Sequence, residues 1–119
     1  MRIVVQKFGG SSLATAEMRC EAMQRVRETV EEGLRPVVVV SAMGRMGDAY
    51  STDTLLNLVQ ETNPGAEGTN LDLLLSCGEI ISAGVFAEGL SQMGLPAVAL
   101  TGWQCGITTD DAHFAARVK

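Results

Sequence analysis

Histidine, cysteine and aromatic side chains are scarce in this chain, and each shortage closes off a class of function. His113 is the only imidazole, so neither a metal centre nor a Ser/His/Asp or Cys/His catalytic set can be assembled around it. A surface or packing role suits it. Cys20, Cys77 and Cys105 are odd in number, widely spaced and without a Cys-x-x-Cys pair. They read as reduced thiols in a cytoplasm, not as a disulfide framework or a zinc site. Basic residues number 9 against 14 acidic ones, a net charge of −5, which leaves no basic stripe to neutralise nucleic-acid phosphates. No apolar run approaches the roughly 20 residues that cross a bilayer. The stretch Met1–Lys7 is too short in apolar residues for a secretory signal. With one tryptophan and one tyrosine, a loop aromatic such as Trp103 is a candidate pocket wall but more commonly a packing residue.

What the chain has in quantity is apolar character: 46% of residues are hydrophobic and 19% charged, a globular composition. At 119 residues it is one domain with a modest core. The apolar residues alternate between two spacings. Ile3–Val5 reads as a first short strand. From Thr15 to Glu32, Met23, Val26, Val30 and Leu34 recur at helical spacing among charged residues, and Gly33 makes a natural stop. Pro36–Val40 is a continuous β-branched run, typical of a strand covered on both faces. A glycine-bearing loop, Ser41–Tyr50, precedes a helix capped by Ser51 or Thr52 and closed at Asn63-Pro64-Gly65. A long helix follows from Thr69 to Met93, with Gly94 and Pro96 beyond it. Ala97–Leu100 reads as a third buried strand, Trp103–Gly106 as a loop, and Ile107–Thr109 as a short extended piece. The final residues Arg117–Lys119 read as entering another strand. This order predicts an α/β fold, a three-layer αβα sandwich on a mainly parallel sheet, left incomplete by the length of the chain.

Chemistry in such folds gathers in the loops that follow the strands. The first, Lys7-Phe8-Gly9-Gly10-Ser11-Ser12, puts a cation at a strand tip before paired glycines and two hydroxyls. Glycines let backbone amides approach a phosphoryl oxygen, a following helix adds its positive end, and lysine supplies a mobile charge. An ordinary β-to-α turn is the other reading of those residues. The second loop is Ser41-Ala42-Met43-Gly44 and the third Thr101–Gly106. Three small, polar, glycine-containing loops at one sheet edge would surround a common crevice. Met43 and Met46 read as packing for the second loop. Glu79 falls at helical spacing among Leu75, Ser76, Ser82, Ala83 and Phe86, on a face that looks inward. A carboxylate there needs a cation or several donors: a substrate ammonium group, Lys7, or a loop backbone. Thr52 before Asp53 is ordinary capping sequence, of interest because it follows the Ser41–Gly44 loop.

Taken together, Lys7–Ser12, Val39-Val40-Ser41-Ala42-Met43-Gly44, Thr52-Asp53-x-Leu55-Leu56, Ser76-Cys77-Gly78-Glu79 and Leu100-Thr101-Gly102-x-Gln104-x-Gly106 stand in the order seen in aspartate kinases. The chain resembles these enzymes from end to end. The Lys-x-Gly-Gly loop is shared with other amino-acid kinases, whereas the second and third loops point to the aspartate branch. Arg45–Ser51 is similar to the longer form of that loop in some bacterial members. The resemblance implies ATP-dependent phosphorylation of the L-aspartate side-chain carboxylate, the first step towards lysine, threonine and methionine. It implies that Lys7 holds the transferring phosphoryl group and that Gly9, Gly10 and Ser11 surround it. Ser41, Ala42 and Thr52 would line the aspartate pocket, Glu79 would pair with the substrate ammonium, and Mg²⁺ would arrive through ATP with no protein ligand in this chain. It also implies a nucleotide-binding half, with a catalytic aspartate and a carboxylate-binding arginine, and regulatory domains, none of which can be located here. The expectation is therefore an N-terminal, substrate-side portion over residues 1–119, inactive alone, that forms a homo-oligomer or associates with the missing kinase half. The alternatives are a non-catalytic module that docks on a full-length kinase, and a kinase for glutamate, acetylglutamate or a nucleotide.

Overall fold

The computed structural model describes residues 1–119. Strands β1 (Ile3–Phe8) and β2 (Arg35–Val40) pair in parallel, with Ile3 opposite Arg35 and Phe8 opposite Val40. Helix α1 (Ala16–Glu31) makes the crossover that a parallel pair requires. Its first turn is capped by Thr15, whose hydroxyl accepts from the Met18 amide at 3.2 Å. Helix α2 (Thr52–Thr62) is capped by Ser51, whose hydroxyl accepts from the Thr54 amide at 3.2 Å. Helix α3 (Thr69–Gln92) runs for 24 residues and stops before Gly94. Each helix falls where spacing and caps predict it. Strand β1 runs three residues past the predicted Ile3–Val5, so Lys7 is its last residue but one, at the C-terminal tip.

Side chains alternate strictly along both strands. Val4, Gln6, Phe8, Val38 and Val40 turn towards α1 and α3, while Ile3, Val5, Lys7, Val37 and Val39 turn to solvent. The core is the seam between sheet and helices: Leu13, Ala22, Met23, Val26, Met43, Phe86 and Leu90 cluster there, with Phe8, Val38 and Val40 packed against them. Phe8 and Phe86 stack with ring centroids 5.6 Å apart. Helix α2 packs on α3 instead of the sheet, so one sheet face is bare. The β-branched run Val37–Val40 is thus covered on one side only: Val37 is 50% exposed. The α/β class and parallel pairing agree with the sequence; one helical layer of the expected sandwich is in place.

Ala97–Leu100 is not a strand. The segment has no ladder partner, and an open apolar groove of about 760 Å³ separates it from β2, lined also by Val26, Val30, Phe86 and Leu90. An extended segment becomes a strand only when a neighbour meets its hydrogen bonds, and no neighbour reaches it here. The chain end makes a single antiparallel bridge, Thr109 to Val118, in place of a strand. His113 pairs with Asp72 in the first turn of α3 and so holds this tail to the helix. All three cysteines are free thiols.

By length and composition α3 could cross a membrane, with a mean hydropathy of 1.5, longer than the plain apolar runs of the sequence indicate. In this fold Leu71, Gly78, Ser82, Phe86 and Leu90 make its buried side, and Glu79 and Glu88 lie on the exposed one. The molecule is a slab of 49 × 34 × 17 Å. Its surface of 8023 Å² at 12.6 kDa exceeds the roughly 6,200 Å² of a compact monomer of that mass. Only 12 of the 119 residues are buried, so each core side chain carries a large share of the stability. Leu13, fully buried between loop, α1 and sheet, is the clearest case. Leu13→Ala is expected to cost about 2–5 kcal/mol, read as a lowered denaturation midpoint; a loss below about 1 kcal/mol would place Leu13 outside the core.

Candidate functional site

The strand register decides which loops meet. Because Lys7 lies opposite Val39 and Phe8 opposite Val40, the chain leaves both strands at the same edge. The Ser41 amide donates to the Phe8 carbonyl at 3.1 Å, and the Gly44 amide donates to the Gly10 carbonyl at 2.9 Å. The contact is tight enough to exclude a side chain. A methyl group on Gly10 would stand 2.7 Å from the carbonyl oxygens of both Ala42 and Gly44.

Gly9, next to it, behaves differently. Its amide has no partner within the chain, and the space a Cβ would occupy is open. Ser11 and Ser12 are exposed, and Lys7 is exposed and outside both ion pairs of the structure. One amide, two hydroxyls and an ammonium group are therefore available at this edge. The loop does not open α1 directly. A 3-10 turn at Gly10–Ser12 comes first, and Thr15 caps α1 beyond it, so the helix end that the sequence assigns to this loop is set back from it.

The second loop is anchored from below. Met43 is buried in the core, as predicted, while Met46 is 60% exposed. Gly44 adopts a φ of 85°, a conformation open to glycine at little cost. Asp48 closes the turn: its Oδ2 accepts from the Arg45 amide at 2.8 Å, and its side chain fills the place of the absent Gly44 Cβ. Ser41 is half-buried and Ala42 buried. Ser51 makes the cap, so Thr52 stands exposed as the first residue of α2.

Glu79 corrects the sequence reading. The buried side of α3 passes through Gly78 and Ser82, and one residue along a helix turns the side chain by about 100°. Glu79 is consequently exposed at the rim, with no ion pair to Lys7 or to any other residue. Its carboxylate is solvated, and the desolvation argument for a buried partner does not apply. The third loop also departs from expectation. Thr101–Gly106 folds on itself, with Gln104 Oε1 accepting from the Thr101 amide at 2.9 Å, and no hydrogen bond ties it to the other loops. Without a third strand nothing carries it to the shared edge, and Trp103 is 65% exposed, walling nothing. Of the residues singled out, Lys7, Gly9, Gly10, Ser11, Ser41 and Ala42 are brought together by the two joined loops. Thr52 and Glu79 are exposed next to residues that meet this region: the Ser51 amide donates to the Asp48 carbonyl at 3.3 Å, and Gly78 faces the Ala42 Cβ. Sequence reasoning misses the roles of Asp48 and Gly78, because neither shows until the second loop has a position.

A parallel β–α–β unit with a lysine, a free glycine amide and hydroxyls at the strand ends defines an α/β protein equipped to hold an anion. The chain belongs to the amino acid kinase family, whose model matches residues 2–118. It is similar to Aspartokinase 1 of Bacillus subtilis (strain 168), 48% identical over 118 residues that make up 99% of this chain and 29% of that protein. It is 44% identical, again over 118 residues, to the Aspartokinase of Geobacillus stearothermophilus, of which it covers 28%. The aspartate kinase crystal structure from Synechocystis aligns with a TM-score of 0.70 and 39% identity over 81% of this chain and 16% of that one. The chain thus spans under a third of the length of these curated relatives.

The joined loops carry a direct test. Gly10→Ala is expected to part the two loops, costing about 1–3 kcal/mol as strain and a lost half-buried hydrogen bond. Amide exchange at Gly44 would accelerate at the same time. Unchanged protection of that amide would show that the loops hold together without the Gly10 contact.

Proposed function

We propose that this chain is the aspartate-binding part of an aspartate kinase, a cytoplasmic enzyme that transfers the γ-phosphoryl group of ATP to the side-chain carboxylate of L-aspartate. The observation that carries the reading is the unpaired Lys7 beside the free Gly9 amide at the edge where the Ser41–Gly44 loop is bonded to Gly10. In the transfer a carboxylate oxygen of aspartate bonds to the γ-phosphorus while the bond to the bridging oxygen of ADP breaks. Positioning and charge neutralisation supply most of the catalysis in such a step.

The donor set fits a phosphoryl group. Lys7 is the mobile cation, the Gly9 amide a fixed donor, and the Ser11 hydroxyl a third contact, with Gly10 holding the acceptor loop against them. Ser41, Ala42 and Thr52 line the aspartate side, and Glu79, solvated and unpaired, is free to meet the substrate ammonium. Mg²⁺ would accompany the ATP phosphates and neutralise part of their charge.

The nucleotide side of the reaction, its catalytic aspartate and its carboxylate-binding arginine are assigned to kinase sequence outside these residues. The bare face at Ile3, Val5, Val37 and Val39 and the groove beside β2 favour association with that kinase half, or with a second copy. The excess surface of roughly 1,800 Å² on this one chain exceeds the roughly 800 Å² that each partner gives to a standard specific interface. A non-catalytic docking module uses the same surface and is the second reading.

Hydroxylamine trapping of the acyl phosphate distinguishes them. A full-length kinase carrying this segment is expected to form hydroxamate with ATP and aspartate and not with glutamate. Lys7→Ala is expected to lower kcat by about 10²–10³, the scale of a lost transition-state donor. The 119-residue chain alone is expected to be inactive. Lys7-dependent activity in that short chain would overturn the assignment of the nucleotide side to other sequence, and a full-length kinase indifferent to Lys7 would overturn the site.

A further inference from the structure

We propose that Gly78 is a positioning residue for the carboxylate substrate: it sets how closely α3, and with it Glu79, stands to the Ser41–Ala42 loop. The proposal rests on the aspartate-kinase reading and goes beyond it to a residue whose own role that reading leaves unassigned.

Gly78 is buried at the point where α3 meets two other parts of the site. A methyl group there would stand 2.9 Å from the Ala42 Cβ, 3.1 Å from the Tyr50 carbonyl oxygen and 3.4 Å from Leu55 Cδ1. Ala42 belongs to the substrate loop, Tyr50 immediately precedes the cap of α2, and Leu55 lies in α2 itself. The absence of a side chain at one position therefore seats the helix against both segments that line the substrate pocket. The residue that follows is Glu79.

The other glycines of α3 show that this is not a general feature of the helix. Gly84 has nothing within 4 Å of the place its Cβ would take. Gly89 faces the Sδ and Cε atoms of Met23, the far end of a flexible side chain that can swing away. At Gly78 the obstacles are a Cβ and a backbone oxygen, neither of which can yield unless the loop or the helix moves. The Ser41–Gly44 loop is itself bonded to Gly10. Added bulk at Gly78 would then be absorbed as displacement of α3, widening the span between Glu79 and Ser41.

The experiment compares Gly78→Ala, the double variant Ala42→Gly/Gly78→Ala and the control Gly84→Ala in the full-length kinase carrying this segment. Gly78→Ala is expected to raise KM for aspartate about tenfold or more, while KM for ATP and kcat move about twofold or less, because small misplacements at a binding site are amplified. Removing the opposing methyl in the double variant is expected to recover most of the lost affinity. Gly84→Ala is expected to change neither. Thermal melts of the same proteins read the contact without substrate: Gly78→Ala lowers Tm, and Ala42→Gly restores part of it instead of adding to the loss.

Normal turnover with an unchanged aspartate KM in Gly78→Ala would overturn this proposal alone. So would equal losses for aspartate and ATP, or additive losses of Tm. No aspartate-dependent turnover in the unsubstituted kinase would remove the functional reading, and this proposal with it.

Discussion

Parallel pairing of β1 and β2 is the constraint from which the rest of the site follows. The register that puts Lys7 opposite Val39 brings two strand ends to one edge, and a parallel pair sends both chains out in the same direction. Two loops leaving side by side compete for the same space, and the competition is resolved by glycine. Gly10 gives up its side chain so that two carbonyl oxygens can close over it, and the Gly44 amide then finds a partner in the Gly10 carbonyl. Burying backbone this closely is acceptable because the polar groups satisfy one another. The Gly9 amide is left outside that bond, with no partner in the chain.

The same sheet also explains what the molecule lacks by itself. Two strands present four edges and faces, and one helical layer covers a single face. Ile3, Val5, Val37 and Val39 are consequently exposed although their residue types suit an interior. The groove between β2 and Ala97–Leu100 repeats the condition at the sheet edge. A sheet with a bare apolar face and an open edge is a surface for further structure. The radius of gyration, 15.7 Å, is larger than the roughly 13.5 Å of a compact chain of this length, as expected of a slab made of two layers.

Local features of this fold are legible in the residues and long-range ones much less so. Ser51 announces its helix because a cap is a contact within three residues, and Gly33 and Gly94 end theirs for an equally local reason. The Lys7–Ser12 and Ser41–Gly44 loops are legible as a pair because strand order alone carries them to one edge. Ala97–Leu100 misleads, since its composition is that of a strand while its status depends on a neighbour that composition cannot supply. Glu79 misleads for a different reason. The residues three and four away from it include several small or apolar ones, yet the buried stripe runs through Leu71, Gly78, Ser82, Phe86 and Leu90, with Gly78 meeting the second loop. A shift of one residue around the helix is enough to move a carboxylate from interior to rim.

The thinness of the slab has a thermodynamic corollary. The heat capacity and denaturant sensitivity of unfolding both scale with the surface newly exposed to water. With 12 of 119 residues buried and one sheet face already wet, unfolding uncovers less than is usual for the length. The chain alone would therefore melt over a broad range of temperature and denaturant, along a flattened stability curve. Covering the bare face would sharpen both transitions, since the apolar area it hides would then be released in the same cooperative event.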